Sequence, residues 1–304
     1  MLINNCKHLL VSYYYFKMLG IGRYIKKKIL EKFLLTIFHN YFLNHQILRR
    51  FRKKLYSKIS YFQYSNNLDK INKFEYKISS QNNEDGIINY IINKISVNNF
   101  FVEIGVEFSE FNSMQLIKNG WSGIIIEAKS EECKNLKMCV DYFFPNNQIN
   151  ILNSIVTKDN LNQILSLNAA NKIIDFLSLD IDGIDYYVLK NLDLKNINFI
   201  CCEYNSFFGR KKKLTVPYND NFTYKGDYYF GASLCAFNDL LNKKGFFLVA
   251  VDSAGVNAFF LKNKFKDNFE ELSPLLSFRE QSRMDKETKD RIYNNLKKFD
   301  FIEL

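Results

Sequence analysis

Asp180 and Asp182 stand two residues apart in Leu179-Asp180-Ile181-Asp182-Gly183, and Glu203 ends the apolar run that begins at Phe199. Carboxylates in such a pattern can take a proton from an acceptor hydroxyl, or hold a hard divalent ion that lowers the hydroxyl's pKa. For Asp182 the plain alternative is a cap on the following helix. All three histidines, His8, His39 and His45, lie near the start of the chain. Any general base further along is therefore a carboxylate, a tyrosine, a lysine or a bound water.

The elements that position these acids follow from the pattern around them. Ile173 to Leu179 is apolar, β-branched and too short for a helix, which predicts a buried strand with Asp180 and Asp182 at its carboxyl tip. Helical spacing resumes from Ile184 to Leu192. Strand, acidic turn, helix is the junction at which open α/β sheets bind ligands. A second unit precedes it: a strand at Asn99 to Gly105, a loop through Asn112, a helix to Lys118, and a strand at Ile124 to Glu127. An acid at that second strand tip is the usual holder of a ribose diol. The loop carries Gly105 alone, with Glu107 and Ser109 where a dinucleotide site has further glycines. A glutamate there repels a pyrophosphate, whereas Glu103, Glu107, Glu127 and Asp180 together suit a cationic cofactor such as S-adenosylmethionine.

Further strands at Asn198 to Asn205, Phe246 to Asp252 and Asn257 to Leu261 complete the expectation. This is an α/β fold with a Rossmann-like class I methyltransferase sheet of seven mostly parallel strands, closing in a hairpin whose last strand is antiparallel. Ser206 to Tyr229 is a long insertion after a strand tip. It holds Arg210-Lys211-Lys212-Lys213 and Tyr218, Tyr224, Tyr228 and Tyr229, residues suited to substrate selection or to a solvated loop.

The net charge of +10 is uneven: residues 1–77 hold 16 of the 42 Lys and Arg, against only Glu31, Asp69 and Glu75. Three segments are expected: a basic, mostly helical arm over 1–77, a Rossmann-like domain over 78–263, and a charged helical tail over 264–304. The arm's apolar run from Ile29 to Leu43 is too short to span a bilayer. Its Phe- and Tyr-rich basic pattern suits an anionic membrane surface, or a helical cap on the chain's own domain; nucleic acid ranks third. Six cysteines without a CxxC pair, and no secretory signal, indicate a reduced cytoplasmic protein, peripheral at the inner membrane face if the arm binds lipid. Residues 65–79 read as a polar linker, and Ser80 to Gly86 as the start of a helix.

Taken in order, Ser80-Gln81-x-x-Glu84-Asp85-Gly86, Phe101-Val102-Glu103-Ile104-Gly105, Asn119-Gly120-Trp121-Ser122-Gly123, Asp175 to Gly183, Glu203-Tyr204-Asn205 and Ser253 to Ala258 give residues 78–263 a pattern that resembles the FkbM-like methyltransferases. The resemblance implies S-adenosylmethionine as cofactor and O-methylation of a sugar or glycan of surface polysaccharide. It also implies Glu103 and Gly105 beside the methionine part, Glu127 on the ribose, Asp180 by the transferring methyl, and Gln81, Glu84 and Asp85 bordering the pocket. Two rival readings stand beside it. Asp180-Ile181-Asp182 is also the D-x-D by which glycosyltransferases hold a metal and a sugar nucleotide. The chain would otherwise be a non-catalytic Rossmann-like module tethered by its arm.

Overall fold

A computed structural model describes residues 71–108 and 110–304. The basic arm up to residue 70, with the membrane-surface and helical-cap readings made of it, and Ser109 in the loop after the first strand lie outside the described residues.

The chain forms, in order, helix α1 (Glu84–Ile92), strand β1 (Phe100–Ile104), α2 (Met114–Lys118), β2 (Ser122–Glu127), α3 (Ser130–Phe143), β3 (Ile149–Asn153), α4 (Leu161–Asn168), β4 (Phe176–Leu179), α5 (Asp185–Asn191), β5 (Phe199–Glu203) and β6 (Leu214–Thr215). It continues through α6 (Leu234–Lys243), β7 (Phe246–Val251), β8 (Asn257–Lys262), α7 (Pro274–Ser277), α8 (Lys286–Leu296) and β9 (Ile302–Glu303). Seven strands make one sheet in the order β3-β2-β1-β4-β5-β8-β7, and β6 pairs with β9 in a separate ribbon. Only β8 runs against its neighbours in the large sheet. This is the expected Rossmann-like α/β sheet of seven mostly parallel strands, with the last of them antiparallel.

Alternate residues of a strand face opposite sides of a sheet, so complete burial of every residue in β1, β4 and β7 means both faces are covered. Phe101, Phe176, Phe199, Phe247 and Phe259 form much of that interior, and none is accessible to solvent. The order has one reversal. The chain moves outward from β1 through β2 to β3, then returns to β4 on the other side of β1. Ligands of open α/β sheets bind at the carboxyl end of such a reversal.

Segments on either side of the sheet's core differ from the sequence reading. The described part of the expected linker, residues 71–79, is docked on the domain: Asn72 donates to the carbonyl of Val251, and Glu75 accepts from the amide of Ser253. Short polar side chains that pair with the β7–β8 turn look the same in sequence as linker residues. The tail's helix covers Lys286–Leu296 rather than Arg279 to Lys298, with Asp285 capping it through the amide of Thr288. Among the described residues no helix is long and apolar enough to cross a membrane.

Candidate active site

The carboxyl edge of the sheet collects the acids. Gly105 follows β1 in a left-handed conformation, φ +78°, and a Cβ there would lie 1.6 Å from the carbonyl oxygen of Asp180. No residue with a side chain fits between these two strand tips, so glycine is what lets β1 and β4 close up. The amide of Asp180 donates to Ile104 O at 2.9 Å, which fixes the contact.

One carboxylate oxygen from each of Asp180, Asp182 and Glu203 lies within 4.8 Å of the other two. Burial raises Asp180 and Glu203 well above the usual carboxylate range, with Asp182 the neighbouring acid that adds most at Asp180 and Asp180 the one that adds most at Glu203. Asp182 is the exposed member, held at φ +51°. Desolvation raises its carboxyl, the Lys129 ammonium draws it down, and Glu107 pushes it up again. The helix-cap alternative for Asp182 gives way to Asp185, whose carboxylate accepts from the amides of Ile181 and Gly183, both at 3.0 Å. The turn is closed by an acid that the D-x-D pattern does not contain, and Asp182 is left free for other work.

Glu127 ends β2 and is 7% exposed. One of its oxygens accepts from the amide of Val106 at 3.0 Å and the other from that of Lys129 at 2.7 Å. Each carboxylate oxygen carries two lone pairs, so one on each stays available. Glu103 is buried and holds the amides of Asn112 and Ser113, which fixes the start of α2. Glu107 is exposed.

Gln81, Glu84 and Asp85, expected to border a cofactor, lie in the turn that opens α1. Asp85 is buried and accepts from the amides of Ile78, Ser79 and Ser80 and from both serine hydroxyls. Glu84 is buried and accepts from Asn82 and from Asn257 Nδ2 at 2.7 Å. Gly86 is glycine because a Cβ would lie 2.0 Å from the carbonyl oxygen of Phe74. Gln81 stays exposed, its main-chain carbonyl taking the ammonium of Lys77. Acids at the positive end of a helix look alike in sequence whether they face a ligand or their own loop. A cavity of about 240 Å³ lies beside this segment, between α1 and α2, lined by Asp85, Asn89, Asn112, Gln115 and Trp121 and set apart from the Asp180 cluster.

The insertion after β5 runs back over the acids. The Phe222 ring lies against Gly183, and Tyr224 is within electrostatic reach of Asp182 and Glu203, its phenol pushed up to about 12 chiefly by burial. Glu203-Tyr204-Asn205 divides its duties. Glu203 joins the acids, the Tyr204 hydroxyl donates to Arg279 O, and Asn205 Nδ2 donates to the carbonyls of Tyr228 and Phe230. Phe222 and Lys129 carry no motif that would have marked them in the sequence.

No protein-family model matches the chain, and no curated protein matches it in sequence. Solved structures resemble it in part. A putative caffeoyl-CoA O-methyltransferase from Staphylococcus aureus has 14% identity and a TM-score of 0.42, over 72% of this chain and 99% of that one. The N-terminal domain of EvdMO1, crystallised with S-adenosylhomocysteine and D-fucose, has 12% identity and a TM-score of 0.40, over 69% and 96%. A S-adenosylmethionine-dependent methyltransferase from Methanosarcina mazei has 11% identity and a TM-score of 0.38, over 57% and 94%. Identities and scores this low carry no function from those proteins to this chain.

Proposed function

We propose that the protein is a S-adenosylmethionine-dependent methyltransferase of FkbM-like type that methylates a hydroxyl of a sugar or glycan. The observation that carries this reading is the convergence of acids from the β1, β2, β4 and β5 tips on one reversal of the sheet, in a domain without histidine. The donor set fits the cofactor. Glu127 has one free lone pair on each oxygen for a ribose diol, and the carboxyl groups of Asp180, Asp182 and Glu203 lie together at the neighbouring strand tips, where a sulfonium or ammonium would meet them. When bound, S-adenosylmethionine supplies an electrophilic methyl group on a cationic sulfur.

The chain's own residues then do the rest. Asp182, exposed and not used as a cap, takes the proton of the acceptor hydroxyl, while Asp180 and Glu203 orient that hydroxyl. The same three carboxylates would hold a divalent cation, which would lower the acceptor's pKa in place of a free base. The tyrosines of the insertion offer flat faces to a sugar ring.

Calorimetric titration with S-adenosylmethionine and S-adenosylhomocysteine, repeated on Glu127→Ala, tests the reading. Micromolar binding in the wild type and loss of tenfold or more in the variant, about 1.4 kcal/mol, is expected. Absence of wild-type binding with and without magnesium would sink the proposal, and binding of a sugar nucleotide instead would favour the D-x-D reading.

A further inference from the structure

We propose that the strap formed by residues 214–231 is a clamp that sets the separation of the β4 and β5 tips, and hence of Asp182 and Glu203, with Phe222 as its positioning residue. Its significance for catalysis rests on the methyltransferase reading above, whereas the clamp itself does not. Each of the two tips carries an anchor for the strap immediately beyond its acid.

On the β4 side the anchor is Gly183. A Cβ at this position would lie 2.7 Å from Cδ1 of Phe222, so the ring rests directly on the bare backbone next to Asp182. The carbonyl of Gly183 accepts from the amide of Gly231 at 2.8 Å. Four residues on, the Tyr187 hydroxyl donates to Val216 O at 3.1 Å, and its ring meets that of Tyr218 edge-on with centroids 5.1 Å apart. On the β5 side the anchor is Asn205, two residues after Glu203. Its Nδ2 holds Tyr228 O at 2.8 Å and Phe230 O at 3.0 Å. Between the anchors the Tyr224 ring packs edge-on against Phe230, with centroids 5.3 Å apart.

The acids need such a restraint. Asp180, Asp182 and Glu203 are crowded, with one carboxylate oxygen of each within 4.8 Å of the other two, and Asp185 and Glu107 add acidic groups beside them while Lys129 is the cation acting on Asp182. Asp182 also sits in a left-handed conformation that a non-glycine residue keeps only when its surroundings impose it. A strap pinned on one side to Gly183 and on the other to Asn205 opposes the spreading of the two tips. Gly183 is then a glycine for the sake of Phe222, since its own φ is not in the left-handed region.

Hydrogen–deuterium exchange with mass spectrometry on the full chain tests the clamp. In Phe222→Ala, peptides covering 180–186 and 228–231 are expected to exchange roughly tenfold faster, while those covering 104–108 and 122–130 stay at the wild-type rate. Phe222→Leu, which refills the space over Gly183, restores slow exchange. Asn205→Ala releases the other anchor and gives the same pattern if Phe222→Ala does not fold. Unchanged exchange at 180–186 in Phe222→Ala, or equal acceleration throughout the sheet in Phe222→Leu and Asn205→Ala, would overturn the proposal. Calorimetry with S-adenosylmethionine on the same samples separates the two ideas: a wild type that does not bind it refutes the methyltransferase reading and leaves the exchange result standing.

Discussion

Glu103 holds two backbone amides, at 2.6 Å from Asn112 and 2.8 Å from Ser113, yet burial outweighs both bonds and raises its carboxyl from 4.5 to about 7. A carboxyl raised in the folded chain binds more protons there than in the unfolded chain, between those two values. Its contribution is present in full below about pH 4.5 and is lost as pH rises through 7. Urea unfolding should therefore show Glu103→Gln losing less stability than the wild type between pH 4.5 and 8. The difference is about 3 kcal/mol, from 1.36 kcal/mol per pKa unit. Equal slopes in the two proteins would show that the amides keep Glu103 ionised. The sequence makes the acids near the strand tips legible one by one, because apolar runs that end in Glu127, Asp180 and Glu203, or enclose Glu103 one residue before their end, have no other simple reading. Their division of labour is not legible. Whether an acid holds an amide, as Glu103 does, or crowds against other acids, as Asp180 does, depends on which loop folds back over it.

Elements show the same limit from another side. Strand β7 is an unbroken apolar run, β1 and β4 are interrupted only by Glu103 and Ser178, and all three announce themselves, while β3, Ile149–Asn153, is an edge strand with Asn150 and Asn153 exposed, and its pattern is that of a loop. The turn before α1 is the reverse case, a conspicuous motif whose acids serve the fold. Asp85 gathers the loop at Ile78, Ser79 and Ser80, and Glu84 ties α1 to β8 through Asn257. Replacing Asp85 by Ala leaves three buried or half-buried amides without an acceptor, a loss of about 3 kcal/mol or more. Chemical denaturation should show that loss, and calorimetry of the protein that remains folded should show unchanged affinity for S-adenosylmethionine. Undiminished stability with lost affinity would return Asp85 to the cofactor pocket.

At the scale of the whole molecule, the last residues of the chain back the strap that covers the acids. Strand β9 pairs with β6 at the strap's base, through Leu214 with Glu303 and Thr215 with Ile302. The ring of Phe299 stacks on Tyr229 with centroids 4.4 Å apart, Phe301 meets Phe208 edge-on at 4.9 Å, and the Tyr229 hydroxyl donates to Asp300 O at 2.8 Å. Nothing in the composition of the tail marks these contacts, since a charged segment carrying Phe299-Asp300-Phe301-Ile302 is as readily solvated. Removing residues 298–304 takes away three aromatic pairs and a two-stranded ribbon, which together contribute about 2–4 kcal/mol. The loss falls on the strap and not on the sheet, whose seven strands do not touch β9 in the pairing order. Arg210, Lys211 and Lys212 are exposed beside the ribbon and supply a built-in reporter. Limited digestion with trypsin should nick the shortened chain between residues 210 and 213 several-fold faster than the full chain, with cleavage within the sheet unchanged, because local opening of the ribbon sets the rate. If the nicking rate is unchanged, the strap is held from within by Gly183 and Asn205 alone, and the tail is a lodger on its surface. If cleavage spreads into β5 or β8, the tail belongs to the core of the fold and its contacts extend beyond the strap.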